Sequence, residues 1–432
     1  MNSSLKLPYV SIVGRPNVGK STLFNRLIGW RKAIEYAEPG TTRDPIFEPF
    51  VIQKKSCWLI DTGGLGFDKK DSFSKQIHGE VADLLTKSEV ILFVVDAHDS
   101  AHALDHSITD MLRRSKKPVI LVVNKIDTEK QEEGLCDFYE LGFDPVMAIS
   151  AQHNLGITAL QKKIAEFLPD PLEEIPKFKQ AVRIALVGEP NSGKSTYFNA
   201  IIGAHRSIVS PIAGTTRDYV EEWLIQNEEA LCLTDTGGLR RSKRFTTGIA
   251  YLSALRSKKI ISRSDLVILM VDAATGPQRE TRNIYNMIKK DRTPCLVLIN
   301  KWDLAHNIEQ SKYTEALRKA FPTINKSHIL YISALSKRNV SNSFRQALDI
   351  VKSSQVQISE LELKNFLARL KQHPVLGPLQ PLRVKQVCVE PPTFVIRFKR
   401  RKHMTTSKHR TLINLLTKTY YGPSVPISVK VR

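Results

Sequence analysis

Four short motifs occur twice in this chain, in the same order and at nearly the same spacing. Gly14-Arg15-Pro16-Asn17-Val18-Gly19-Lys20-Ser21 has the form G-x-x-x-x-G-K-S, and Gly188-Glu189-Pro190-Asn191-Ser192-Gly193-Lys194-Ser195 repeats it 174 residues later. Pro39-Gly40-Thr41-Thr42-Arg43-Asp44 returns as Ala213-Gly214-Thr215-Thr216-Arg217-Asp218. Asp61-Thr62-Gly63-Gly64 returns as Asp235-Thr236-Gly237-Gly238, and Asn124-Lys125-Ile126-Asp127 as Asn300-Lys301-Trp302-Asp303. One such string could arise by chance. Eight ordered matches mean a duplicated domain.

The first, third and fourth motifs are each preceded by a short apolar run. Tyr9–Val13 and Arg183–Val187 lead into the first motif, Trp58–Ile60 and Leu231–Leu233 into the third, and Val119–Val123 and Cys295–Ile299 into the fourth. Val90–Val95 and Leu266–Val271 are uniformly apolar, as parallel strands covered on both faces must be. Ala148–Ile149 and Ile329–Ile332 end at Ser150-Ala151 and Ser333-Ala334. Each of these motifs and both Ser-Ala pairs thus fall just past the C-terminal end of a strand, where open α/β sheets hold their ligands. The reading is two tandem P-loop domains, each a mostly parallel sheet flanked by helices.

The chemistry of the motifs points to a guanine nucleotide. The glycines of the first motif let backbone N–H groups converge on a phosphate at a helix N-terminus. Lys20 and Lys194 add charge to the β/γ oxygens, and Ser21 and Ser195 offer a hydroxyl to Mg²⁺. Thr42 and Thr216 suit a loop that closes over the γ-phosphate and Mg²⁺, Asp61 and Asp235 reach the metal, and Gly63 and Gly237 leave room for an N–H at the γ-phosphate. A carboxylate in the fourth motif accepts two hydrogen bonds from guanine and would be left unpaired by adenine, so Asn124 with Asp127, and Asn300 with Asp303, are expected to select the base. Ser150-Ala151 and Ser333-Ala334 are expected to close over guanine O6.

The position after D-x-x-G, where related enzymes hold a water-orienting glutamine, is Leu65 in the first copy and Leu239 in the second. Either hydrolysis is intrinsically slow or another element completes the site around Gly64 and Gly238. Asn17 and Asn191 could hold a monovalent cation beside the phosphates, or could brace the loop by local hydrogen bonds; the residues alone leave both open.

Charge divides the chain further. The net charge is +21, and residues 355–432 hold 15 Lys+Arg against 3 Asp+Glu while residues 1–181 are close to neutral. A polyanionic partner is expected on the C-terminal side. Residues 1–168 read as the first domain, 169–181 as an acidic proline-rich linker, 182–354 as the second domain and 355–432 as a small basic α+β domain. In that last stretch Glu360–Gln372 and Lys408–Tyr420 look helical, and Val384–Val389, Phe394–Phe398 and Ile427–Val431 look like strands. Each nucleotide domain is expected to have its own core, so removing 355–432 should spare both sites. No apolar run is long enough to span a bilayer, and five scattered cysteines without a C-x-x-C fit reduced thiols in a cytoplasm.

With tandem G domains, D-T-G-G in both and a basic C-terminal module, the chain resembles the Der (EngA) family of bacterial double-GTPase ribosome-assembly factors. The resemblance covers essentially the whole chain. It implies two Era-like GTPase folds and a KH-like domain, acting as a monomer in late maturation of the large (50S) ribosomal subunit on its rRNA. It also implies slow, potassium-stimulated hydrolysis, with Asn17 and Asn191 taking the cation and Gly64 and Gly238 in the catalytic set. Two departures stand out. The stretch after Ser333-Ala334 reads Leu335-Ser336-Lys337-Arg338-Asn339 without the usual glycines, and the tail has no G-x-x-G clamp for single-stranded nucleic acid. The competing reading is an rRNA-binding scaffold in which one or both nucleotides are structural and hydrolysis is incidental.

Overall fold

Strands that are apolar on both faces need helices on both faces, and that requirement organises both halves of the chain. The computed structural model describes residues 7–28, 46–53, 55–62, 84–99, 103–170, 181–204, 206–208, 220–226, 229–236, 258, 260–305, 308–322, 324 and 327–432. The chain forms two units, one built on residues 3–181 and the other on 182–224 and 231–432.

The first unit carries a six-stranded sheet of β1 (Tyr9–Val13), β2 (Ile46–Ile52), β3 (Lys55–Asp61), β4 (Ser88–Asp96), β5 (Val119–Asn124) and β6 (Val146–Ala148). The order is β2-β3-β1-β4-β5-β6. All pairs are parallel except β2 with β3. The expected strands are found; those before Asp61 and Ser150 extend further or start earlier than their apolar cores. Period-two alternation sends Val10, Ile12, Leu59 and Leu92 to one buried cluster with Leu23 and Leu160, and Val13, Phe93, Val95 and Leu121 to the other with Ile108 and Leu112.

The second unit repeats the plan with β7 (Ala181–Gly188), β8 (Arg206–Ile208), β9 (Val220–Gln226), β10 (Glu229–Asp235), β11 (Leu266–Asp272), β12 (Cys295–Asn300) and β13 (His328–Tyr331). The order is β13-β12-β11-β7-β10-β9-β8, with β7, β11, β12 and β13 parallel. The basic tail folds as β14 (Pro381–Cys388), β15 (Thr393–Phe398) and β16 (Ser428–Val431), antiparallel and then parallel, with helices Glu360–Gln372 and Thr406–Leu416. Ser359 and Glu362 close a capping box that starts the first of these helices where the sequence places it. The second ends earlier than expected. A π turn over Thr417–Tyr421 follows it, and this wider turn seats Tyr420 Oη on the Glu362 carbonyl at 3.0 Å while Tyr421 Oη takes a hydrogen bond from Gln386 at 3.1 Å.

The tail does not have a core of its own. One cluster runs from Ile184 and Leu186 through Phe344, Ala347 and Val351 of helix Val340–Ser354 into Ile358, Phe366, Phe394, Leu412 and Val429. Backbone bonds reinforce it: Cys295 N donates to the Ser424 carbonyl at 3.2 Å, and His328 N donates to Ser424 Oγ at 3.0 Å. Ser424 therefore holds the starts of both β12 and β13, the strands that end in the second base-reading motifs. The separability expected from sequence is thus absent from the packing of this unit. Truncation after residue 354 exposes Phe344, Ala347 and Val351, and we expect it to melt the second unit along with the tail. Within the intact chain, Phe394→Ala should destabilise the second unit by about 3–5 kcal/mol and leave the melting of the first unchanged, as two calorimetric transitions would show.

Candidate functional site

Both phosphate loops depend on glycine at fixed points. Gly14 and Gly188 sit at positive φ, and a Cβ on either would run into the carbonyl of Val94 or Met270 on the neighbouring strand. Gly19 and Gly193 are left-handed residues directly before helices Lys20–Leu27 and Lys194–Ile202; a Cβ there would strike the carboxamide of Asn124 or Asn300. Asn17 and Asn191 are also left-handed, at φ 69° and 63°. Pro16, Asn17 and Asn191 are exposed. Neither asparagine amide bonds to a described residue, so the structure shows no local bracing by their side chains.

Asn124 and Asn300 join the two ends of the site. Asn124 Nδ2 donates to the Val18 carbonyl at 2.8 Å, and its Oδ1 accepts from Ala151 N at 3.0 Å. Asn300 makes the same pair, donating to Ser192 O at 2.8 Å and accepting from Ala334 N at 2.9 Å. Both asparagines are buried. One N–H and the Oδ1 of each carboxamide thus tie the phosphate loop to the Ser-Ala loop, and each amide keeps a second N–H donor.

Asp127 accepts from Ser150 Oγ at 2.7 Å, whereas Ser333 Oγ accepts from Ser336 N at 3.2 Å. Asp303 Oδ1 is buried without a hydrogen-bond partner, an orphan acceptor that the paired N–H donors of guanine would satisfy. Ser150 and Ser333 each bridge back across a short loop, to Leu155 and Arg338, so the second loop keeps the first one's closure without a counterpart of Gly156. Asn339, left-handed, supplies the turn and donates Nδ2 to Tyr331 O at 2.9 Å.

The serine after each P-loop lysine faces the D-T-G-G aspartate. Ser21 Oγ donates to Asp61 Oδ2 at 2.7 Å and Ser195 Oγ to Asp235 Oδ2 at 2.7 Å. These adjacent hard oxygen donors fit Mg²⁺. Thr62 and Thr236 hold the aspartate ends in place by donating to the Ile12 and Leu186 carbonyls at 2.7 and 2.8 Å. Lys20 Nζ donates to Arg15 O at 2.6 Å, and Lys194 Nζ to Glu189 O at 2.7 Å. Burial lowers the Lys20 ammonium to about 8, opposed in part by the charge of Asp61 and furthered by Arg15. Thr42, Gly63, Gly64 and Leu65, with Thr216, Gly237, Gly238 and Leu239, lie outside the described residues, as does most of the 169–181 linker.

Several contributors escape the motif reading. Asp96 and Asp272, each in a Val-Asp-Ala triplet at the end of a strand, pair with Lys125 and Lys301, the latter at 2.6 Å. Burial opposes the charge on Asp96, but hydrogen bonds from Lys125 and His98 outweigh it and hold the carboxyl below its usual range. The repeat of that triplet at the domain spacing was the available signal. Arg26 braces the first Ser-Ala loop, donating to the carbonyls of Ala151 and Gln152 at 2.9 and 2.7 Å. Ile126 is buried in the first site, while Trp302 in the second stacks edge-on with Tyr331 and Tyr313 at 4.3 and 5.3 Å. Arg15 and Glu189, at the same place in the two loops, take opposite partners. Arg15 pairs with Asp99 at 2.8 Å and buried Asp105 at 3.3 Å, and Glu189 accepts from Gln278 N and Thr281 N at the start of helix Arg279–Asp291. Among the described residues no cluster of His, Cys, Asp and Glu could form a further metal centre, and all five cysteines are free.

A doubled P-loop with an N-K-x-D carboxylate in each copy defines a GTPase with two guanine-nucleotide domains. Likeness to known proteins agrees. A family model described as 50S ribosome-binding GTPase matches residues 9–125 and again 183–301, and the elongation factor Tu GTP-binding domain model matches 255–373. GTPase Der of Thermomicrobium roseum is 37% identical over 447 residues, covering 99% of this chain and 96% of that protein. GTPase Der of Symbiobacterium thermophilum is 34% identical over 436 residues, covering 98% and 92%. Among solved structures, Era in complex with MgGDPNP and a segment of 16S ribosomal RNA is similar at 22% identity and a TM-score of 0.33, over 58% of this chain and 92% of that one. The chain belongs to the GTPase Der family and is a GTP-hydrolysing enzyme.

The lysine of the first loop should make nucleotide binding sensitive to pH. In an Asp303→Asn background that isolates the first site, GDP affinity should fall as pH rises from about 7 to 9, because Lys20 loses its proton near 8 and phosphate binding requires the charged form. Calorimetry in buffers of different ionisation heat should show proton uptake on binding at the upper end, and Lys20→Met should abolish that uptake. Separately, Ser192 Oγ is buried without a partner where the first loop has Val18. Ser192→Val should stabilise the second unit by about 1 kcal/mol in a thermal melt.

Proposed function

We propose that this GTPase is a switch in ribosome biogenesis that acts in late assembly of the large (50S) ribosomal subunit. The observation that carries the reading is the coupling of two complete nucleotide sites to a strongly basic tail: +12 lies in residues 355–432 and +11 in 182–354, against −2 in 1–181. Counterion release from rRNA would supply the affinity, and nucleotide state would decide which surface is presented. The matched family model, described as a 50S ribosome-binding GTPase, supports the same partner. The tail is the KH-like module of this reading, and the protein acts as a monomer in the cytoplasm.

In each site the backbone N–H groups after Gly14 and Gly188 bind the β-phosphate, and Lys20 and Lys194 neutralise charge on the β/γ oxygens. Asp127 and Asp303 accept the guanine N–H pair. Ser21, Thr42 and Asp61 would hold Mg²⁺ in the first site, and Ser195, Thr216 and Asp235 in the second. Mg²⁺, when bound, spreads the charge of the transferred phosphoryl group. With leucine at 65 and 239, no side chain there can orient the attacking water. The Asn17 and Asn191 amides, uncommitted among the described residues, are suited to a potassium ion at the phosphates, and Gly64 and Gly238 would complete the catalytic set.

Three outcomes are expected. Co-sedimentation on sucrose gradients should place the protein with large subunits in one of the GDP, GTP or non-hydrolysable-analogue states and release it in another; equal distribution in all three would contradict the switch. GTPase activity should rise several-fold from NaCl to KCl at fixed ionic strength, and Asn17→Ala with Asn191→Ala should remove the response while GDP binding stays. Asp127→Asn and Asp303→Asn should each weaken GTP binding at one site by at least about 100-fold and favour xanthine nucleotide there.

A further inference from the structure

The outer face of the C-terminal sheet carries a lattice of unpaired cations. β14 runs antiparallel to β15 with Arg383 opposite Arg397 and Lys385 opposite Val395. β15 runs parallel to β16 with Val395 opposite Lys430. The bonds from Arg432 N to Ile396 O and from Phe398 N to Arg432 O place Arg432 opposite Arg397. The result is two rows across three strands, Arg383/Arg397/Arg432 and Lys385/Val395/Lys430. Rows lie about 6.7 Å apart and neighbouring strands about 4.8 Å apart. Arg383, Lys385, Arg397, Lys430 and Arg432 are all exposed, while Phe394, Ile396 and Phe398 point the other way into the core. The three strands contain no Asp or Glu, and Arg383, Lys385, Arg397 and Lys430 form no ion pair with a described residue.

Like charges at this spacing repel, so the face is poised for a ligand with closely spaced negative charge. It offers no exposed aromatic ring on which an unpaired base could stack. It also lacks carboxylates and carboxamides to read base edges: Gln386, on β14, is committed to Val356 O and Tyr421. A surface with charge but neither stacking nor base readout fits the phosphate backbone of a folded duplex. The turn Lys399–His403 continues the charge at the Arg383/Arg397 end.

We propose that this sheet face, and not a cleft for single strands, docks the protein on the phosphate backbone of duplex RNA, with Arg383, Lys385, Arg397 and Lys430 as the principal contacts. The inference rests on the ribosomal reading above for the choice of RNA. It differs from that reading in assigning one surface and one nucleic-acid form.

The test uses the full chain with Arg383→Gln, Lys385→Gln, Arg397→Gln and Lys430→Gln combined. A control neutralises four exposed lysines elsewhere in the second unit, Lys289, Lys290, Lys312 and Lys319, so that net charge matches. Unchanged GDP binding and melting confirm that both fold. The face variant should bind a short blunt RNA duplex at least about tenfold more weakly than wild type, with a log–log salt slope shallower by roughly three to four. The control should lose far less, and the wild type should not prefer a single-stranded uridine oligomer of equal length. Equal losses in the two variants, no loss in the face variant, or a preference for the single strand would each overturn the proposal. So would loss of binding to phosphatidylglycerol vesicles with RNA binding intact. Pelleting with large subunits separates the two levels. Weakened duplex binding with unchanged pelleting upholds the face and contradicts ribosomal docking through it; unchanged duplex binding with normal wild-type pelleting overturns the face and leaves the ribosomal reading standing.

Discussion

Each nucleotide site is held together by one buried carboxamide. Asn124 and Asn300 bond the last turn of the phosphate loop on one side and the backbone of the Ser-Ala loop on the other. Phosphate and base lie at opposite ends of a nucleotide, so their binding loops must keep a fixed separation, and these loops come from strands far apart in sequence. The carboxamide sets that separation with two bonds of about 1 kcal/mol each. It also explains the glycines at 19 and 193, because no Cβ fits against it. The Lys125–Asp96 and Lys301–Asp272 pairs then fix the loop that carries the base-reading carboxylate.

The same strands carry information away from the site. β12 and β13 end in the second base-reading motifs and begin at Ser424 of the basic tail. Helix Val340–Ser354 leaves the Ser-Ala loop and buries Phe344, Ala347 and Val351 in the cluster that the tail completes. Packed interiors transmit displacement because they cannot yield continuously. In the second unit, the second base-reading motifs and the basic surface are therefore parts of one packed body.

Much of this was legible from residues. The motif order gave both P-loop domains and the strand ends that carry them, since glycine, lysine and carboxylate at those spacings serve few other chemistries. The helix over Glu360–Gln372 was legible too, and the capping box of Ser359 and Glu362 closes its start. What stayed hidden depends on contacts between distant residues. Asn124 reads as a base contact, and only its bonds to Val18 and Ala151 show that it also braces the two loops. The tail reads as separate because its composition changes at residue 355, yet burial follows shape and the core continues across that point. The π turn at Thr417–Tyr421 follows from seating two adjacent tyrosines, which local propensity cannot foresee.

The most direct test of the account is the number of guanine nucleotides bound when the brace is removed from one site at a time. Titration calorimetry with GDP should give two equivalents for the intact chain. Asn124→Ala should leave one, the second site, and Asn300→Ala should leave the other. Two equivalents at unchanged affinity in either variant would show that the carboxamide does not hold the site together.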